Sequence, residues 1–304
     1  MQDFEKKYRE LRPFYSYEFD FLNREVVNPG EVFSLFLKRL IRIIVDLTKK
    51  PFAELTILDL ACFEGLFATE LARLGASVVG IEGRNINIQK AEFLKEFRGN
   101  PSVRFIQDDV RNISKEKYGK FDIIIAAGIL YHLEAPDHFK LIENIYSMCR
   151  EFAIIDTHVS LARDASYRYK EFEYWGRDFA EFENCPAVED REALAVQSSL
   201  DNEKSFWPTK ISLFNLLAHC GFTTVLECSF PSVDAYRGGY DRITVVAIKG
   251  GSMEHLLSAT LVSLQEPVLE EVIDNRVIMH PNNVPKDFLP PDSPREIILR
   301  RTED

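Results

Sequence analysis

Cysteine is scarce in this chain of 304 residues. The five present, Cys62, Cys149, Cys185, Cys220 and Cys228, form an odd set with no C-x-x-C and no Cys/His zinc spacing. Neither a disulfide framework nor a structural zinc site is indicated, and reduced thiols in a cytoplasmic setting are the expectation. Long apolar runs are missing as well. The longest, Ile123 to Tyr131, is about half of the roughly 20 residues that a membrane span needs, and the opening MQDFEKKYRE has no signal-peptide stretch. A basic face is also lacking: 48 Asp plus Glu outweigh 37 Lys plus Arg, for a net charge of −11. The acids concentrate in residues 159–205 and 250–304. Lys6, Lys7, Arg9, Arg12, Lys38, Arg39 and Arg42 are the candidates for a folded basic patch, and a solvated surface is the preferred reading of them.

What the chain does have is ordinary globular composition, 46% hydrophobic and 28% charged. At this length folding buries roughly 75% of the unfolded surface, so a core forms without metals or disulfides. From Thr56 to Lys249, short β-branched runs alternate with longer segments. TILDLA, ASVVGIE, SVRFIQ, FDIIIAAG, EFAIIDTH, FTTVLE and RITVVAIK read as strands. Leu66–Leu74, Ile86–Phe97, Val110–Lys117 and Pro136–Cys149 read as helices. The pattern predicts an α/β fold with a doubly wound, seven-stranded, mostly parallel sheet, whose last strand is antiparallel because no helix precedes it. Glu31–Thr48 reads as a helix before the sheet, started by Pro29-Gly30. About fifty residues rich in Tyr, Phe and Trp are inserted after the fifth strand, too aromatic for a linker, and read as a lid or small cap. A short helix is expected at Met253–Leu264.

The strongest motif is TILDLACFEGLFATELARLGASVVGIEGR. A strand, a tight turn at a helix N-terminus and a second strand ending in Glu82 form a nucleoside-binding crevice. Backbone N–H groups of the turn approach the ligand, and the carboxylate accepts ribose hydroxyls. Ala61 and Phe63 stand where a dinucleotide fingerprint has glycine, and only Gly65 remains, which argues against a pyrophosphate ligand.

With the QDDV stretch and FDIIIAAGILYHLEAP, this region resembles the class I S-adenosylmethionine (SAM)-dependent methyltransferases over about Thr56 to Lys249. The resemblance implies a Rossmann-like methyltransferase fold. It also implies that the methionine moiety lies against Asp59, Ala61, Cys62, Phe63, Glu64 and Gly65, ribose against Glu82, and adenine against Asp109 and the Val110 N–H, with Gly83 and Gly128 as further cofactor-binding positions. GILYHLEAPDHF, AIIDTHV, SFWPTKISLFNLLAHCGF and the N-terminal PFYSYEFD further resemble the tRNA wobble-uridine carboxymethyltransferase-like group. That narrower resemblance implies SAM or its carboxylated form as donor.

Methyl transfer is an in-line displacement, so a protein mainly aligns the reactants and, for a hydroxyl or protonated amine, removes a proton. His132 follows the fourth strand and His158 the fifth, both at the carboxyl edge of the sheet where ligands bind in such folds. His132 is the first choice for the base, with His158 and the neighbouring Tyr131 as further catalytic candidates. Asp156, His158 and His132 are also metal-binding residue types, but three at strand ends arise by chance and no metal is expected. Cys62 reads as a small residue that fits the turn. Tyr174, Trp175, Phe206 and Trp207 read equally as substrate cover and as lid packing.

The expected organisation is an N-terminal helical cap (1–50), a SAM-binding domain (51–250) with an insertion at 159–205, and a tail (251–304). The expected function is SAM-dependent methylation, at oxygen or nitrogen, of a small or medium-sized acceptor. The alternatives are a wobble-uridine-type (carboxy)methyltransferase and a non-catalytic SAM-binding protein. A small-molecule partner is favoured over nucleic acid, no membrane partner is expected, and the oligomeric state is left open.

Overall fold

Alternating β-branched runs and helix formers set the element order. The computed structural model describes residues 2–21, 25–27, 31–99, 101–182, 197–228 and 241–250. Within these the order is α1 (Gln2–Leu11), β1 (Glu18–Asp20), β2 (Glu25–Val27), α2 (Glu31–Leu47), β3 (Thr56–Leu60), α3 (Leu66–Arg73), β4 (Ser77–Glu82), α4 (Asn85–Phe97), β5 (Val103–Gln107), α5 (Lys115–Tyr118), β6 (Phe121–Ala127), α6 (Asp137–Met148), β7 (Cys149–His158), β8 (Ala165–Tyr169), β9 (Phe172–Ala180), β10 (Lys204–Pro208), α7 (Lys210–Cys220), β11 (Thr224–Glu227) and β12 (Arg242–Ile248). Seven strands form one sheet in the order β11-β12-β7-β6-β3-β4-β5. β3 pairs parallel with β4 and β6, and β4 with β5, whereas β11 and β12 are antiparallel. This is the mixed, mostly parallel sheet read from the sequence. Its central strands are apolar at successive positions because both faces are covered: Ile57, Leu58, Ile123, Ile124 and Ile125 are all fully buried.

The chain divides into two compact units. Of the described residues, 2–127 and 147–154 form one, and 128–146, 155–228 and 241–250 the other. In the first unit, α2 ends at Leu47 and is amphipathic rather than apolar all round, burying Phe36, Leu40 and Ile44 while Val45 is exposed. α1 and the β1–β2 hairpin were not legible in the sequence. Their aromatics Phe4, Tyr8, Phe14 and Phe19 gather around Phe93 of α4, with ring centroids 5.0–6.4 Å from it. The expected Val110–Lys117 helix is instead a single 3-10 turn, Val110–Asn112, followed by the short α5. Ser114 causes the break: extended in backbone, it caps α5 by accepting the Lys117 N–H, as N-cap serines do.

In the second unit the aromatic insertion builds its own antiparallel sheet, β10-β9-β8. Gly176 makes that pairing possible, since a Cβ there would lie 2.1 Å from the Trp207 carbonyl oxygen. Tyr169, Tyr174 and Phe206 pack around Phe139 of α6 at 5.0–5.7 Å. Tyr174 and Phe206 are therefore core, and Tyr169 is half-buried beside them. Thr209 caps α7 by accepting the Ser212 N–H, and Gly221, in the left-handed region, ends it.

The expected Pro29-Gly30 helix start, the Met253–Leu264 helix, the tail and Cys185 lie outside the described residues. Among the described residues, Cys62, Cys149, Cys220 and Cys228 form no disulfide. Among the described residues no helix is long and apolar enough to cross a membrane.

Candidate functional site

The turn between β3 and α3 is the centre of the first unit's candidate residues. Ala61 and Phe63 both adopt left-handed backbone (φ 52° and 53°), as does Gly65 (φ 78°). The turn thus keeps the conformation that glycine usually supplies, with side chains at two of its three positions, and such strain concentrates at functional sites. Gly65 itself is indispensable, because a Cβ there would lie 2.7 Å from both Ala91 and the Phe105 ring.

Glu82, at the end of β4, points at this turn. One carboxylate oxygen accepts the Phe63 N–H at 3.1 Å; the other accepts the Arg84 N–H at 2.9 Å and the Asn87 amide at 3.4 Å. Burial raises its pKa against these donors. Asp59 lies inside β3, with burial pushing its carboxyl up to about 7 against a hydrogen bond from the Ala68 N–H, and with Glu82 adding to the rise. Its Oδ2 is buried and has no hydrogen-bond partner among the described residues. Cys62 is buried, and burial together with Asp59 and Glu82 pushes its thiol well above the usual range, so the turn does not activate it. Gly83 accepts the Gln107 amide through its carbonyl.

Two of the expected cofactor residues have other partners. Glu64 is fully buried, with its carboxylate 3.0 Å from the buried Lys90 ammonium and accepting the N–H groups of Tyr15 and Ser16. Lys90 also donates to the Pro13 carbonyl, and the Tyr17 hydroxyl donates to the carbonyls of Glu64 and Lys90. The Glu64 side chain therefore clamps residues 13–17 against the turn. Asp109 accepts the Arg111 N–H at 2.8 Å and pairs with that residue's guanidinium, so an adenine amino group would share a carboxylate already neutralised. Val110 is buried in the same 3-10 turn. The candidate basic patch is largely spent in ion pairs, Lys7 with Glu96 and Arg42 with Asp46, and Arg39 is buried.

The second unit gathers Gly128, Tyr131, Asp156 and His158 around Arg242 at the start of β12. Arg242 donates through Nε to Asp156 at 2.7 Å, and through Nη1 to the Tyr131 hydroxyl at 3.1 Å and to His158 Nε2 at 3.3 Å. Thr244 donates to the other Asp156 oxygen. The Asp156 carboxylate thus already serves Arg242 and Thr244, and among the described residues no group of His, Cys, Asp and Glu forms a metal site. His158 stacks on Trp207 (4.7 Å, 14°), its Nε2 lone pair facing Arg242 and its Nδ1 3.5 Å from Asp241. A Cβ on Gly128 would meet Arg242 Nη2 and the Tyr131 hydroxyl only at ordinary contact distances, 3.4 and 3.6 Å, so it is the left-handed backbone there (φ 94°) that favours glycine.

His132 has a separate partner. Its Nδ1 lies 2.9 and 3.1 Å from the carboxylate oxygens of Glu181, a residue the sequence reading missed because an acid 49 positions away in an acidic segment carries no local signal. Burial pushes the Glu181 carboxyl up, but the hydrogen bond and charge of His132 and the Ser199 N–H outweigh it, holding the group below the usual carboxylate range.

A family model described as a methyltransferase domain matches residues 57–151. The ubiquinone biosynthesis O-methyltransferase of Chelativorans sp. (strain BNC1) is 36% identical over 90 residues, which is 30% of this chain and 35% of the relative. The mitochondrial ubiquinone biosynthesis O-methyltransferase of Bos taurus is 33% identical over 86 residues, 28% of this chain and 23% of the relative. The match thus spans about a quarter to a third of these curated relatives. Among solved structures, the N-terminal domain of EvdMO1 with SAH bound shares the fold, with a TM-score of 0.63 and 22% identity over 82% of this chain and 98% of that one.

Proposed function

We propose that this chain carries a class I methyltransferase domain and transfers a methyl group from SAM to a small-molecule acceptor, at oxygen or nitrogen. The observation that carries this reading is the pairing of the β3–α3 turn with Glu82: a left-handed turn held at 61, 63 and 65, facing a buried carboxylate that retains lone pairs. These residues fit a nucleoside ligand. Glu82 would accept ribose hydroxyls, the turn would face the methionine moiety, and the buried, unpartnered Asp59 Oδ2 would be available to a donor. SAM, when bound, supplies an electrophilic methyl group. The chain's own residues orient the reactants, and His132 accepts the proton that a hydroxyl or ammonium acceptor gives up.

Ubiquinone-type O-methyltransferases among the relatives favour a small acceptor. The finer resemblance to the wobble-uridine group finds no support in the relatives. The non-catalytic alternative rested on the missing glycines. With Ala61 and Phe63 holding the glycine-like conformation, that reason disappears.

Calorimetry of the full chain with SAM, with the ligand retained on purification identified by mass spectrometry, tests the reading. Glu82→Ala should weaken SAM by roughly 1–3 kcal/mol, the range for hydrogen bonds to a charged group. Unchanged affinity in a folded variant would reject the placement.

A further inference from the structure

We infer that Glu181 is a positioning residue for His132: the insertion supplies the carboxylate that fixes this imidazole with its Nδ1 protonated and its Nε2 lone pair free. The inference rests on the methyl-transfer reading and deepens it, since a base prepared in this way serves an acceptor whose nucleophile carries a proton, a hydroxyl or an ammonium.

Three observations carry it. First, the contact is two-pronged, with Nδ1 within 3.1 Å of both carboxylate oxygens. A carboxylate only accepts, so the ring nitrogen facing it must be the donor and the other nitrogen holds the lone pair. Second, the pair is asymmetric in burial: the Glu181 side chain is 2% exposed, whereas His132 keeps 16%. A carboxylate so buried requires a partner, and the imidazole that satisfies it still reaches solvent. Among the described residues no hydrogen bond occupies His132 Nε2. The carboxylate of a catalytic triad holds its histidine in the same tautomer.

Third, Glu181 is itself held in place. It follows β9 directly, and its N–H donates to the Glu203 carbonyl at 2.9 Å, continuing the ladder in which Ala180 pairs with Lys204. The Ser199 N–H donates to its Oε2 at 3.0 Å, and the Asn202 amide donates to the His132 carbonyl at 3.0 Å. The insertion therefore grips His132 by both side chain and backbone. His158 has no comparable arrangement, because its Nε2 faces the Arg242 donor.

The test needs no acceptor. Long-range 1H–15N NMR of the full chain, with the His132 signals assigned by their loss in His132→Gln, reads the tautomer of the neutral ring. Mass spectrometry of diethyl pyrocarbonate modification reads how reactive Nε2 is. Wild type should show the Nδ1–H tautomer and modification at Nε2. Glu181→Gln should lose the single tautomer and react at least several-fold more slowly, and Glu181→Asp, which keeps the charge, should recover much of both. An Nε2–H tautomer in wild type would overturn the inference, as would a folded Glu181→Gln with unchanged tautomer and reactivity. SAM affinity should be unmoved in Glu181→Gln. Loss of SAM binding in wild type would sink the methyl-transfer reading while leaving the tautomer result intact.

Discussion

The proposed nucleoside crevice and the His132 neighbourhood are built in opposite ways. Around Glu82 the partners are close in sequence: Arg84 lies 2 residues away, Asn87 5 and Phe63 19, and most of the donors are backbone N–H groups. Around His132 and Arg242 the partners are side chains 49, 86 and 111 residues apart. A crevice made from backbone tolerates changes of side chain, which is how Ala61 and Phe63 can occupy a glycine turn. A cluster of distant side chains depends on each identity. Substitutions in the second region should therefore lower turnover more than SAM affinity, and those in the first should act on binding and stability.

The largest effect expected is at His132. His132→Ala should lower turnover roughly 10²- to 10⁴-fold, the usual contribution of a general base, while calorimetry shows SAM affinity nearly unchanged. His158→Ala should do less. Full turnover of His132→Ala from neutral to mildly alkaline pH would remove the contrast between the regions.

Glu64 breaks the comparison from within, because this side chain in the cofactor turn is devoted to Lys90 and residues 13–17. Glu64→Gln leaves the Lys90 ammonium buried without its carboxylate and should destabilise the protein by about 3–5 kcal/mol in urea unfolding. Adding Lys90→Met should recover much of this. An unchanged midpoint for the single variant would mean that the clamp contributes nothing to stability.

Asp59 sharpens the comparison through pH. Its folded pKa is raised to about 7, above an unfolded value of about 3.9. A raised carboxyl stabilises the fold fully below the unfolded value, and that stabilisation is lost as pH rises through about 7. Asp59→Asn cannot titrate, so wild-type stability relative to it should fall by about 2–4 kcal/mol between about pH 4 and pH 8. Parallel stability curves for the two proteins would show that the carboxyl does not titrate with folding.

The smallest effect is at Ala61. Ala61→Gly relieves a left-handed φ but adds chain entropy to the unfolded state, for a net gain of up to about 1 kcal/mol. Differential scanning calorimetry would detect this as a modest rise in Tm, and a fall would show that the alanine methyl contributes packing that outweighs the strain.

What could be read directly from the sequence follows the same division. TILDL, SVVGIE and FDIIIAA carry adjacent apolar residues rather than strict alternation, and such a run, buried on both faces, announces a central parallel strand whatever packs on it. The turn and Glu82 were legible because strand end, turn and helix start are consecutive. The N-terminal hairpin was not, since strands of three residues carry too little alternation to stand out from a loop. Nor was the packing of the aromatics: Tyr174, Phe206 and Trp207 are all buried, and only the fold sets the first two against Phe139 and the third against His158.

The sequence by itself determined the sheet, the crevice and the two candidate imidazoles, because periodicity and strand ends are local properties of a chain. Tertiary structure alone decided which imidazole keeps its Nε2 open. The carboxylate facing His132 and the guanidinium facing His158 come from segments 49 and 84 residues away, and nothing short of folding brings them within the roughly 3 Å at which a hydrogen bond selects a tautomer.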